Sequence, residues 1–133
     1  MRKELYAAIV AKLKQDVPEV GHIDLWNHNV EFIEQEEVWS RPAVFVEIGT
    51  ISWSPFHGKW LRGNGQVRIH VVTDWLEGGQ HAAWNLSNKI RKVLTGLCGD
   101  SFNGMELVTT DTNHNHEDIL ESIDSYDVRY LLE

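Results

Sequence analysis

The feature that most constrains the fold is an alternation of apolar and polar residues within positions 66–73, which is regular as far as Val71. In this stretch, Gln-Val-Arg-Ile-His-Val-Val-Thr, the side chains of Val67, Ile69 and Val71 fall on one face and those of Arg68 and His70 on the other. A period of two residues is that of a β-strand with one face against a core. The chain is therefore expected to build a sheet whose apolar face is covered.

Other segments predict further strands of this sheet. Residues 43–48, Ala-Val-Phe-Val-Glu-Ile, are rich in strand-forming types and follow Pro42, which favours extended geometry at Arg41. Residues 105–110 and 122–132 predict two more strands, the second with both faces partly covered. A short strand is also predicted within residues 21–26.

Two helices are predicted from apolar residues that recur every three and four positions, over residues 2–15 and 80–97. Their apolar stripes have the right period to cover the alternating strand. We therefore predict a shared core in which the strand face and the two helix stripes meet, formed by Leu5, Ile9, Leu13, Val67, Ile69, Val71, Ile90 and Leu94.

The predicted order is helix, short strand, two long strands, helix and two strands, without a repeat or a linker rich in Pro, Ser or Gly. The simplest packing of these elements is one layer of helices on one sheet. We predict a single α+β domain over residues 1–133, with two helices on a mostly antiparallel sheet and a long arm between the two central strands.

The arm comprises residues 51–65 and contains three large aromatic residues, Trp53, Phe56 and Trp60. This segment is too long for a tight hairpin turn, so a projecting arm is predicted. Its aromatic side chains could fold back onto the sheet as a satellite cluster, or contact a neighbouring subunit, where Trp and Phe are enriched. The second alternative predicts a subunit interface at these three residues.

The charge and composition exclude several classes of protein. A formal net charge of −8 disfavours nonspecific binding to duplex DNA, because that affinity comes from Lys and Arg. The acidic residues concentrate over 31–37 and 117–127 and are interpreted as solvated faces. No apolar run approaches the ~20 residues of a membrane span, and no secretory signal is recognisable, so we expect a soluble protein. The lone Cys98 is expected to be a buried or half-buried filler at a helix end.

The sharpest candidate for chemistry is the segment that holds Asp111, His114, His116 and Asp118, together with Glu117. These side chains can bind zinc or manganese, which would make the chain a small metal-dependent hydrolytic enzyme. However, there is no HExxH motif, and the segment has the composition of a solvated turn. We interpret it as a turn, and predict no cofactor, no metal and no catalysis.

His70 is the other candidate for chemistry, because a strand histidine opposite the apolar face could act as a general base. The sequence supplies no recognisable Ser or Cys nucleophile to accompany it. We therefore interpret His70 as a surface residue of its strand.

Two strand motifs resemble the tail-completion, or tail-terminator, proteins of long-tailed phages. Residues 41–48, Arg-Pro-Ala-Val-Phe-Val-Glu-Ile, are similar to the P-x-V-x-[VI] strand of that family, and residues 67–74 are similar to its V-x-I-x-V-x-x-D strand. The family also has an N-terminal helix, a variable arm between these strands, a second helix and a final strand pair. The resemblance covers most of the chain, although the arm is more aromatic and the segment before Pro42 more acidic than the family pattern.

The resemblance implies a homo-oligomeric ring, usually a hexamer, that caps the finished tail tube and offers a docking face for the head. Its partners would be further copies of itself, a tail-tube protein and a head-completion protein, with DNA only in transit. It would be found in the cytoplasm of the bacterial host during assembly and in the virion tail. Carboxylates lining such a ring would repel DNA phosphates. A monomeric binding module remains the third alternative.

Overall fold

The computed structural model describes residues 1–27, 39–74, 79–116 and 119–133, with residues 114–116 described by their backbone alone. Two helices and five strands follow one another in the predicted order, which confirms the α+β class. In chain order they are α1 (Arg2–Asp16), β1 (His22–Leu25), β2 (Ala43–His57), β3 (Trp60–Asp74), α2 (Gly79–Leu94), β4 (Phe102–His116) and β5 (Ile119–Leu132).

The five strands form one sheet in the order β1-β2-β3-β5-β4. All neighbouring pairs are antiparallel except β1 and β2, which run parallel. The alternating strand of the sequence is β3, and it lies at the centre of the sheet between β2 and β5. The mostly antiparallel sheet and the short first strand are both confirmed.

Both helices pack on one face of the sheet, here called the helix face. Leu5, Ile9 and Leu13 of α1 are fully buried, because a spacing of four residues places them on one stripe. Every residue of the predicted core is buried in the same cluster, which confirms that prediction. From the strands, the cluster also takes Val44, Val46, Phe102, Met105, Tyr126, Val128 and Tyr130.

The opposite face of the sheet, here called the open face, has a smaller apolar cluster of its own. Ala43, Phe45, Val72 and Ile119 are buried there, with Trp26 and Trp39 packed against them. The first residues of β2 are therefore buried on both faces, and this explains their nearly continuous apolar sequence.

The arm is a β-hairpin that continues β2 and β3. β2 and β3 stay paired from Ala43↔Val72 to His57↔Trp60, and Gly58 and Lys59 form the turn, with Gly58 at φ 58°. A positive φ is readily adopted by glycine, so this position suits a tight turn. The prediction that residues 51–65 exclude a tight turn was wrong, since most of them extend the two strands. β5 also pairs with β3 as far as Leu61↔Leu132.

Two further predictions need correction. β4 begins at Phe102 and ends at His116, so the segment predicted as a solvated turn is largely strand. Cys98 is exposed, not buried, because it lies beyond the end of α2, where Leu97 and not Cys98 packs against the core. Within the ranges described above, neither helix is long and apolar enough to cross a membrane.

Candidate functional site

The arm end of the sheet carries a concentration of exposed apolar side chains, here called the arm surface. Large hydrophobic side chains in the rest of the described chain are mostly buried, whereas those at this end are between 36% and 52% exposed. The arm surface consists of Trp53, Phe56, Trp60 and Leu61 of the arm and Leu131 and Leu132 of the adjoining β5.

Trp53 packs partly on its own sheet. It is the register partner of Gly63, which in turn pairs with Tyr130, and the rings of Trp53 and Tyr130 lie 6.2 Å apart. A Cβ atom on Gly63 would lie 2.7 Å from Cζ3 of Trp53, so the close approach of the Trp53 ring to the backbone at position 63 requires glycine. One part of the Trp53 ring is therefore packed on its own sheet and another part is exposed.

Phe56 and Trp60 lie nearer the tip and are more loosely held. The guanidinium of Arg62 lies 4.4 Å from the centroid of the Phe56 ring, a cation–π contact at the surface. Phe56 and Trp60 are 52% and 39% exposed. Tryptophan is also among the residue types enriched in the anchors of protein interfaces.

The arm also differs from the rest of the chain in charge. Residues 48–67 contain two cations, Lys59 and Arg62, and no carboxylate, although the whole chain has a net charge of −8. An apolar and cationic end therefore projects from an acidic protein.

A buried histidine between two carboxylates lies on the open face. Nδ1 of His70 is 2.7 Å from Oε2 of Glu121, and Nε2 is 2.8 Å from Oε1 of Glu47. The indole of Trp26 stacks on the imidazole at 3.9 Å with the planes 5° apart. His70 is only 3% exposed, so its interpretation as a surface residue was wrong.

The pairing of strands explains this cluster. His70 lies on the central strand, opposite Phe45 of β2 and Ile123 of β5, and the two carboxylates are its diagonal neighbours on either side. Each ring nitrogen of His70 therefore lies within hydrogen-bond distance of one carboxylate. Arg68 adds an ion pair to Glu47 at 3.3 Å, and the Asn113 amide donates to Glu121 at 3.3 Å. The arrangement is saturated with protein partners, which fits a structural role.

The acidic run over residues 117–127 is not simply a solvated face. Glu121 and Asp124 are buried on opposite faces of β5, and Asp127 is exposed. Burial raises the pKa of Asp124, although the Thr110 hydroxyl donates a hydrogen bond to it at 2.7 Å. Burial likewise raises the pKa of Tyr126 well above its ordinary value, and the charge of Asp124 adds to this shift. The acidic run over residues 31–37 lies outside the described residues.

The predicted metal ligands are only partly described. Asp111 is an exposed residue of β4, paired with Ile123, whereas a solvated turn was predicted. His116 pairs with Ile119 through its backbone, and the side chains of His114 and His116 lie outside the description, as do Glu117 and Asp118. In the described ranges, no group of three or more His, Cys, Asp or Glu side chains could hold a metal ion.

Comparison with known proteins adds one finding to this geometry. The fold recurs in a virion. A chain of the structure described as the virion of a native gene transfer agent particle matches with a TM-score of 0.67 and 14% sequence identity, covering 96% of this chain and 95% of that chain. No model of a known protein family matches the chain, and no curated protein matches it either. The two chains share a fold over essentially their whole lengths.

Proposed function

We propose that this chain is a structural protein of a phage-like particle that forms a homo-oligomeric ring, a hexamer, which completes the tail tube and joins it to the head. The observation that carries the proposal is the likeness of fold, over 96% of this chain, to a chain of a gene transfer agent virion. The strand motifs at residues 41–48 and 67–74 support the same assignment independently.

The arm surface supplies the contacts that a ring requires. Six large apolar side chains, each at least 36% exposed, lie at the arm end of the sheet, where they are distributed over its two faces. Such patches are uncommon on monomers and are typical of interfaces. We propose Trp53, Phe56 and Trp60 as subunit contacts, with Phe56 and Trp60 as the anchors because they are the least engaged with their own sheet.

The other partners follow from the position of such a ring. A tail-tube protein and a head-completion protein would contact its two faces, and DNA would pass through its channel. The net charge of −8 supports passage without adhesion, since phosphate binding requires clustered Lys and Arg. The protein would act in the bacterial cytoplasm during assembly and then remain in the virion tail.

The experiment compares two exposed tryptophans, one on the arm and one on α2. Trp60→Ala should weaken self-association by roughly 30-fold, the effect of losing about 2 kcal/mol at an interface anchor. Trp84→Ala is the comparison variant, because Trp84 is 53% exposed on α2 away from the arm, and it should self-associate more strongly than Trp60→Ala. Sedimentation across a concentration series measures assembly, and thermal denaturation measures folding.

The opposite pattern would refute the role of the arm. If Trp60→Ala assembles like the parent while its melting temperature falls sharply, the aromatic side chains serve only to stabilise their own sheet.

A further inference from the structure

We propose that the arm of one copy pairs along the free edge of β4 in the next copy, so that the sheet continues from subunit to subunit. This inference rests on the proposed ring and names the surface that receives the arm. The occupant is a second copy of this chain, in contact through two different surfaces.

One half of the contact is the outer edge of β2. The edge strand β1 is four residues long and pairs only with Ala43 to Val46, and the Trp26 amide adds one hydrogen bond to the Val46 carbonyl. Among the strands that the structure describes, none pairs with that side of β2 from Glu47 to His57. The arm therefore carries main-chain donors and acceptors on an unpaired edge.

The other half is β4, the last strand on the opposite side of the sheet. The loop after α2 covers its beginning, where the Gly96 and Gly99 amides donate to the carbonyls of Met105 and Phe102 at 2.9 Å. Beyond that point, no described strand pairs with its outer side, and residues 108–113 are all exposed. A long exposed edge strand is a template for pairing with another chain.

The two edges match in direction and length. Strand direction alternates from β2 through β3 and β5 to β4, so β2 of a second copy with the same orientation lies antiparallel to β4. Residues 51–55 of β2 and 109–113 of β4 are each free of register shifts, and each spans about 17 Å at the usual strand rise. A contact between two different surfaces closes into a ring when the rotation permits.

The arm and β4 carry charges of opposite sign, although the two cations of the arm lie on its turn and on β3 and not on the free edge of β2. β4 contains Glu106 and Asp111, both exposed, and no Lys or Arg. The arm contains Lys59 and Arg62 and no carboxylate. Because the chain as a whole carries a net charge of −8, most other contacts between two copies bring like charges together. This difference in charge favours β4 of a second copy as the surface that binds the arm.

The test is disulfide trapping in a Cys98→Ser background, which removes the one native thiol. Ser52→Cys on the arm is combined in turn with Thr109→Cys, Thr110→Cys or Thr112→Cys on β4. Two cysteines form a disulfide only when their Cα atoms lie about 4.4–6.8 Å apart. Mild oxidation should convert at least one double variant into a ladder of linked oligomers that a reducing agent collapses.

The controls separate the possible outcomes. Ser52→Cys with Ala11→Cys, which places the second thiol on the exposed side of α1, should give no ladder, and each single-cysteine variant should remain largely unlinked. A parent protein that stays monomeric overturns this inference together with the proposed function. A parent that forms rings while no β4 variant gives a ladder overturns this inference alone. Efficient dimers of the Thr110→Cys single variant overturn it in favour of a symmetric contact between two β4 edges.

Discussion

Glu121→Gln tests whether the buried cluster on the open face stabilises the sheet through charge. Glu121 is 1% exposed and accepts hydrogen bonds from both the His70 ring, at 2.7 Å, and the Asn113 amide, at 3.3 Å. Glutamine has the same shape but only one acceptor atom, so it cannot replace both contacts as they stand. It also removes the carboxylate charge on one side of the His70 ring.

The expected loss follows from the burial of this pair. A hydrogen bond to a charged group contributes about 1.5–3 kcal/mol, and the near-complete burial of both partners places Glu121→Gln at the upper half of that range, about 2–3 kcal/mol. Glu47→Gln is the matched control on the other ring nitrogen. Its side chain is 30% exposed and also pairs with the exposed Arg68, so a loss of about 1 kcal/mol or less is expected.

The assay is urea denaturation of the parent and both variants at one protein concentration, because self-association adds to apparent stability. The free energy of unfolding should fall in the order parent, Glu47→Gln, Glu121→Gln. If Glu121→Gln lies within about 0.5 kcal/mol of the parent, the range of ordinary surface substitutions, the paired carboxylates do not hold His70 in place.

Three further variants test the packing and the electrostatics. Ile69→Ala should cost about 2–5 kcal/mol in denaturant unfolding, since Ile69 is fully buried under both helices, while Asn64→Ala on the exposed part of β3 should cost less than about 0.5 kcal/mol. Asp124→Asn should be more stable than the parent near neutral pH, because burial raises the pKa of Asp124 and its ionised form lowers the free energy of unfolding. This advantage should vanish below about pH 4, where the carboxyl is protonated in both the folded and the unfolded chain. A difference that is the same at all pH values would contradict this account. Gly63→Ala should displace the Trp53 ring, lower stability by about 1–3 kcal/mol and change the near-ultraviolet circular dichroism, and an unaltered spectrum would refute the close approach.

The fold could be predicted well from the sequence where the spacing of apolar residues along one strand or helix was sufficient to identify its buried face. The alternation around Ile69 and the four-residue spacing of Leu5 and Ile9 identify faces without knowledge of any partner. The arm was located correctly, but its length wrongly predicted the absence of the tight hairpin turn that the structure has at Gly58 and Lys59. In the structure, Gly63 leaves space for the ring of Trp53.

The clusters that depend on strand register could not be predicted. Glu47, His70 and Glu121 are 23 and 51 residues apart in sequence, and only the pairing of β3 with both β2 and β5 brings them together. The alternation does place His70 on the face opposite the helices. That face is buried around His70 because a second, smaller apolar cluster, which includes Phe45 and Trp26, lies on it. A run of acidic residues along one strand likewise includes side chains on both faces of the sheet. Glu121 and Asp124, for example, are buried on opposite faces of β5.

The central claim is that this chain assembles into a closed ring through its arm. Native mass spectrometry of the purified parent, with electron microscopy of the same sample, measures the number of subunits and their arrangement directly. We expect one dominant species of six copies with a central channel, and a greater loss to monomers in Trp60→Ala than in Trp84→Ala. A parent that remains monomeric at the highest attainable concentration, or that forms a hexamer unaffected by Trp60→Ala, would contradict the account.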